Sequence, residues 1–180
     1  MPKTNSGTLS AASGGSVTLS NGLKILLPAD AVVNAATGVA YNGTVNVAAQ
    51  WINPEAQDLA LIMPGDLRGI NNNNNMQLLT TYGMAAVELT DGSGNKLQVA
   101  PGKKAKLTIA LPVGLISKAP ATIPLWHFDE AKGLWIEEGS AAKVGNTYEG
   151  EVSHFSFWYC DVPNDYVQLD ITLHNATGNP

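Results

Sequence analysis

The stretch Ser153-His154-Phe155-Ser156-Phe157-Trp158 sets a serine two residues after a histidine inside a run of rings. A hydroxyl with an imidazole close by is the pairing nucleophilic chemistry uses. Here the nearest electrophile is the chain's own backbone, the peptide bond between Phe155 and Ser156. The same residues also read as a buried strand. Alternation then sends Val152, His154, Ser156 and Trp158 to one face and Ser153, Phe155, Phe157 and Tyr159 to the other. On that second reading the Phe/Phe/Tyr set is core, and His154 and Ser156 look outward.

The remaining reactive side chains are few. His127, His154 and His174 form no pair at the i, i+4 spacing of a helical metal site, so an ion would need carboxylates brought in by folding. No metal and no cofactor is expected. The one cysteine, Cys160, permits neither an intrachain disulfide nor a cysteine-based zinc cluster. Asp129-Glu130 and Glu137-Glu138 put neighbouring carboxylates on opposite strand faces, which makes them poor acid/base pairs. Asp91, Ser93 and Asn95 in DGSGN resemble part of a calcium loop but lack its terminal bidentate Glu. A tight turn with Gly92 and Gly94 at positive φ is expected there. Trp51, Trp126, Trp135 and Trp158 could line a glycan-binding face, although Trp in such strands more often packs as core.

The elements that must position these residues read as strands almost throughout. SVTLS and LKILLP flank Asn21-Gly22 as a hairpin with a two-residue turn. TVNVAAQWI (44 to 52) alternates polar and apolar residues and ends before Pro54. DLALIMPGDL is a short apolar run broken at Pro64-Gly65, and Asn71 to Asn75 form a polar, flexible loop tip. MQLLTTYG, MAAVELTD, KLQVA and AKLTIALP follow, the last with Leu107, Ile109 and Leu111 on one face. TIPLWHFDEAKGLWIEE is two strands around a turn from Asp129 to Gly133. Turns at Gly139 and at Val144-Gly145-Asn146 lead to a last strand, TYEGEVSHFSFWYC. Helical periodicity is confined to Pro28 to Asn34. Many short strands with regular turn signals predict an all-β protein, a β-sandwich of antiparallel strands.

Composition narrows the partners. The 180 residues are 44% hydrophobic and 14% charged, with a net charge of -5. This is enough apolar residue for a core. Lys103, Lys104 and Lys106 are the one basic group, read as a solvated turn guarding a strand edge, so nucleic acid is not an expected partner. No window approaches the roughly 20 apolar residues of a membrane span. The N-terminal MPKTNSGTLSAASGGS lacks the apolar segment of a signal peptide, which leaves a cytoplasmic location open.

Three blocks, in order, resemble the ZU-five domain of ankyrins, netrin receptors and certain autoprocessing immune adaptors. They are GGSVTLSNGLKILLPADAV, TYGMAAVELTDGSGNKLQVAPGKKAKLTIALP, and PLWHFDEAKGLWIEE with GEVSHFSFW; the resemblance covers about residues 13 to 160. MPGDL, LLTTYGM and SHFSFW look closer still to bacterial surface proteins that place such a domain beside carboxypeptidase-regulatory-like, immunoglobulin-type domains. The resemblance implies a flexible segment over 1–12 and a ZU-five-like sandwich over 13–162. Residues 163–180 would be a linker and the first strand of a following domain, or else an added edge strand. It also implies a structural or protein-interaction module of a multidomain protein at the cell surface, in the periplasm or outside the cell. Its partners would be proteins or neighbouring domains.

Autoprocessing members of that family cleave themselves at a His-Phe-Ser sequence, which stands here as His154-Phe155-Ser156. The implied alternative function is self-cleavage: Ser156 Oγ attacks the Phe155 carbonyl carbon, the amide becomes an ester, and water hydrolyses it. His154 would act as base or acid. Glu149, Glu151 and His127 are candidates for a second catalytic group. Such a shift requires the Phe155-Ser156 bond to be held out of its relaxed geometry, and a twist of about 12° in ω already costs about 1 kcal/mol.

Overall fold

Period-two alternation recurs along most of the chain, and in a computed structural model, which describes residues 5–164, it becomes strands. The first six are β1 (Asn5–Ser10), β2 (Gly15–Thr18), β3 (Lys24–Leu27), β4 (Val32–Asn34), β5 (Thr44–Ile52) and β6 (Arg68–Ile70). The 15-residue β7 (Met76–Thr90) follows, then β8 (Lys96–Val99) and β9 (Ala105–Ala110). The last four are β10 (Thr122–Asp129), β11 (Leu134–Val144), β12 (Thr147–Val152) and β13 (Phe157–Asn164). One helical turn (Leu59–Ile62) and one 3-10 turn (Val113–Leu115) interrupt them. No helix among the described residues is long and apolar enough to cross a membrane.

Ten strands form one hydrogen-bonded path in the order β1-β5-β7-β13-β10-β11-β12-β9-β3-β2, antiparallel at every step. Its end strands β1 and β2 are consecutive in the chain and meet through the Ser10–Gly14 bridge. The sheet therefore folds back on itself as a β-sandwich and leaves few unpaired backbone groups at its ends. The larger core lies between the layers and includes Ile25, Val45, Val47, Leu107, Ile109, Phe155 and Trp158. A smaller one gathers Ile52, Leu79, Met84, Trp126, Trp135 and Tyr159. Trp126, Trp135 and Trp158 are fully buried. At roughly 25 cal/mol per Å² and 150–250 Å² per ring, each contributes about 4–6 kcal/mol of transfer free energy as an upper estimate.

The all-β expectation holds, as do the strand at 44–52 and the shared, buried face of Leu107, Ile109 and Leu111. Several local expectations change. Residues 1–12 are not uniformly a lead-in, because Asn5–Ser10 pairs with β5. The β2–β3 turn is a three-residue one, with Leu19 donating to the Leu23 carbonyl across Ser20, Asn21 and Gly22. Pro28 to Asn34 is no helix but runs into β4, whereas DLALIMPGDL holds the helical turn. MQLLTTYG and MAAVELTD are one strand. Gly83 does not break β7: it lets the strand approach Ile109, whose Cγ2 lies 2.6 Å from where a Cβ would stand. In the DGSGN turn only Gly94 has positive φ.

Gly139 likewise makes no turn. Pro124 pairs with Ser140 and Trp126 with Glu137, so Leu125 faces two residues, Glu138 and Gly139, in a β-bulge where Gly139 takes φ 78°. The last expected strand breaks into β12 and β13, because the chain crosses over at 153–156. Pro163 and Asn164, read as the start of the linker, belong to β13, and Cys160 and Asp161 before them are buried. The expected strand over 166–180 lies outside the described residues.

Candidate functional site

Three segments meet at the rim of the larger core, and each brings one reactive side chain. Strand β10 supplies His127, opposite Ile136 of β11 and Trp158 of β13. The bulge in β11 supplies Glu138, and the crossover at 153–156 supplies His154. His127 Nε2 and His154 Nε2 each lie 3.5 Å from the same oxygen, Glu138 Oε2. The two imidazoles meet edge to face, with centroids 4.7 Å apart at 89°. Both rest against the buried indole of Trp158, at 5.6 and 5.0 Å.

Other contacts fix this geometry. Ser153 Oγ donates to Glu138 Oε1 at 2.5 Å and leaves Oε2 toward the histidines. Trp158 Nε1 donates to the His154 carbonyl at 3.0 Å, which pins the crossover. Burial pushes the His127 pKa below its ordinary value, and the neighbouring His154 acts in the same direction; Glu138 and Asp129 oppose them. The side chains of His127, His154 and Glu138 are 19%, 29% and 39% exposed, so the cluster is open to solutes.

The predicted self-cleavage residues sit beside this cluster. Phe155 is buried as expected, and its backbone is held by one side chain: its N–H donates to Gln98 Oε1 at 2.7 Å, and its carbonyl accepts from Gln98 Nε2 at 3.0 Å. Ser156 is half-buried, and its hydroxyl donates to the Phe157 carbonyl at 3.2 Å. Among the described residues no hydrogen bond joins Ser156 Oγ to His154, whose Nε2 faces Glu138 instead. Phe157, expected in the core, is half-buried against the smaller cluster. Glu149 pairs with Lys106, and Glu151 with Lys104 at 3.5 Å, both lysines lying on or just before β9.

The other candidates resolve more simply. With Trp126, Trp135 and Trp158 fully buried and Trp51 Nε1 tied to the Ala110 carbonyl at 3.0 Å, the tryptophans form no exposed stacking face for a sugar. Asp91 organises its turn by accepting from Ser93 N, Asn95 N and Asn95 Nδ2, which holds its pKa below the ordinary value. Cys160 is buried, and desolvation raises its thiol pKa well above the ordinary value, aided by Asp161; it is no nucleophile. Sequence reasoning considered Glu138 only as half of a carboxylate pair. The one available signal was Gly139, whose tolerance of positive φ suits a bulge as well as a turn.

The fold defines an all-β sandwich with a solvent-open His/Glu cluster next to a clamped crossover. No known family profile matches the chain, and no solved structure does. Among curated proteins it is similar to human cartilage intermediate layer protein 2, 30% identical over 125 residues, which is 69% of this chain and 10% of that protein. The mouse protein of the same name is 31% identical over 109 residues, 60% of this chain and 9% of its own. Pig cartilage intermediate layer protein 1 is 31% identical over 106 residues, 57% of this chain and 17% of its own. The chain thus aligns with a small part, between 9% and 17%, of the length of these relatives.

Proposed function

We propose that this chain is a non-catalytic structural and protein-interaction module, ZU-five-like in kind, from a much longer multidomain protein. The small share of each relative that it matches supports a module among others. Relatives named for cartilage support a place outside the cell; the bacterial surface setting rests on the MPGDL, LLTTYGM and SHFSFW resemblance alone. In this reading the sandwich is followed by an immunoglobulin-type domain beginning near residue 166. A cleft of about 830 Å³, between Leu61–Pro64 and strands β5, β7 and β8, is the surface it presents to protein partners.

The observation that carries the non-catalytic reading is the orientation of Ser156. Its hydroxyl is bonded forward to the Phe157 carbonyl, and His154, its candidate base, is turned to Glu138. With nucleophile and base out of register, the Ser156 hydroxyl has no group placed to take its proton. Self-cleavage is the second reading, favoured by one contact: the Gln98 amide at the Phe155 carbonyl is the kind of donor that stabilises an oxyanion. Intact mass of the denatured chain decides between them. One species at 18.9 kDa is expected, and a split between Phe155 and Ser156 that vanishes in Ser156→Ala overturns the reading.

A further inference from the structure

The distances around Glu138 do not describe hydrogen bonds. An N–H···O bond closes to about 2.7–3.2 Å, yet both Nε2 atoms stand 3.5 Å from Oε2. For a tetrahedral ion with ligands at about 2.0–2.2 Å, neighbouring ligand atoms lie about 3.3–3.6 Å apart, the separation seen here between each nitrogen and the carboxylate oxygen. All three donor atoms fall within 4.8 Å of one another. The rings, nearly perpendicular, reach the carboxylate oxygen from two sides without stacking on each other.

The surroundings agree with ligand duty. Imidazole binds metal through an unprotonated nitrogen, and His127, only 19% exposed at its side chain, presents Nε2 toward Glu138. Glu138 has its other oxygen held by Ser153, the outer-shell contact that orients a ligating carboxylate. Asp129 adds negative potential near His127. The Trp158 indole gives the cluster an apolar floor, and partial exposure of all three side chains gives an ion a way in and leaves a position for water.

We propose that His127, Glu138 and His154 form a binding site for a divalent transition ion of the zinc type, with two imidazole nitrogens and one carboxylate oxygen as ligands and one position open to water or an external donor. Two nitrogens and one oxygen suit zinc, nickel or copper rather than calcium or magnesium, which take all-oxygen sets. The ion would join the β10–β11 hairpin to the 153–156 crossover, three segments that meet only in the fold. This goes beyond the interaction-module reading and is independent of it.

The test is zinc titration of the metal-stripped full chain by calorimetry, repeated with cobalt to report coordination geometry by its visible spectrum. One ion per chain is expected, with an absorption pattern for nitrogen and oxygen ligands. A 100-fold excess of zinc over Kd should raise Tm by about 5–10 °C. His127→Ala, His154→Ala and Glu138→Gln should each weaken binding beyond the roughly 10–100-fold that loss of an outer-shell partner costs, with Ser153→Ala inside that range. Circular dichroism of each metal-free variant separates lost ligands from lost fold, and Glu138→Gln, nearly isosteric and partly exposed, keeps the test valid if a histidine variant unfolds. Absence of saturable uptake overturns the proposal, as does uptake that survives Glu138→Gln and His127→Ala or is abolished by His174→Ala alone.

Discussion

The Gln98 side chain of β8 pairs with the Phe155 backbone as a neighbouring strand would, its amide accepting from the Phe155 N–H and donating to the Phe155 carbonyl. The crossover at 153–156 has left the sheet ladder, so these two polar groups, beside a buried ring, lack ordinary strand partners. Replacing Gln98 by Ala removes both bonds and leaves the groups half-buried. A loss of about 2–4 kcal/mol is expected, read as a lower urea midpoint at unchanged m-value. Gln98→Glu should cost nearly as much, because a carboxylate accepts from the N–H but offers nothing to the carbonyl.

Gly83 is a packing position. A methyl placed there meets Ile109 Cγ2 at 2.6 Å inside the larger core. Gly83→Ala should destabilise by about 1–3 kcal/mol despite the usual gain from replacing a strand glycine. Gly83→Ala combined with Ile109→Val should recover part of that loss, a coupling that a thermal double-mutant cycle measures.

Asp161 is fully buried, and neither carboxyl oxygen makes a hydrogen bond of good geometry. Burial pushes its pKa well above the ordinary carboxylate value, against a lesser lowering influence from Thr81. The folded state thus holds a proton that the unfolded state has released, and stability falls as pH rises from about 4 toward the raised value, by up to about 1.4 kcal/mol per pH unit. Asp161→Asn removes that dependence. The stabilising difference between Asp161→Asn and the natural chain should grow from pH 5 to pH 8 in urea titrations; a constant difference would count against a protonated Asp161.

The ion pair of Lys104 with Glu151 is more than half exposed on both sides. Exposed pairs of this kind contribute about 0–1 kcal/mol. Lys104→Ala should move the urea midpoint negligibly, with no added sensitivity to salt.

Strand identity was legible where alternation is strong and uninterrupted, as in TVNVAAQWI and AKLTIALP. It failed at three glycine-linked or crowded points for a common reason. Gly83, Gly139 and the 153–156 crossover each depend on what approaches from another strand. Glycine allows a turn, a bulge or a close contact alike, so Gly83 and Gly139 carry no local sign of which one the fold selects. The site divides the same way. His154-Phe155-Ser156 is contiguous and visible in the sequence. The pairing of His127 with Glu138 requires the β10–β11 register and its bulge, and neither can be counted from residue spacing.

The most direct test of the non-catalytic reading is the mass spectrum of the chain after prolonged incubation under native conditions, denatured before injection, with and without hydroxylamine to open any Phe155–Ser156 ester. The account predicts one mass, 18.9 kDa, in both samples and in Ser156→Ala alike. Fragments 1–155 and 156–180, accelerated by hydroxylamine and absent from Ser156→Ala, would contradict it.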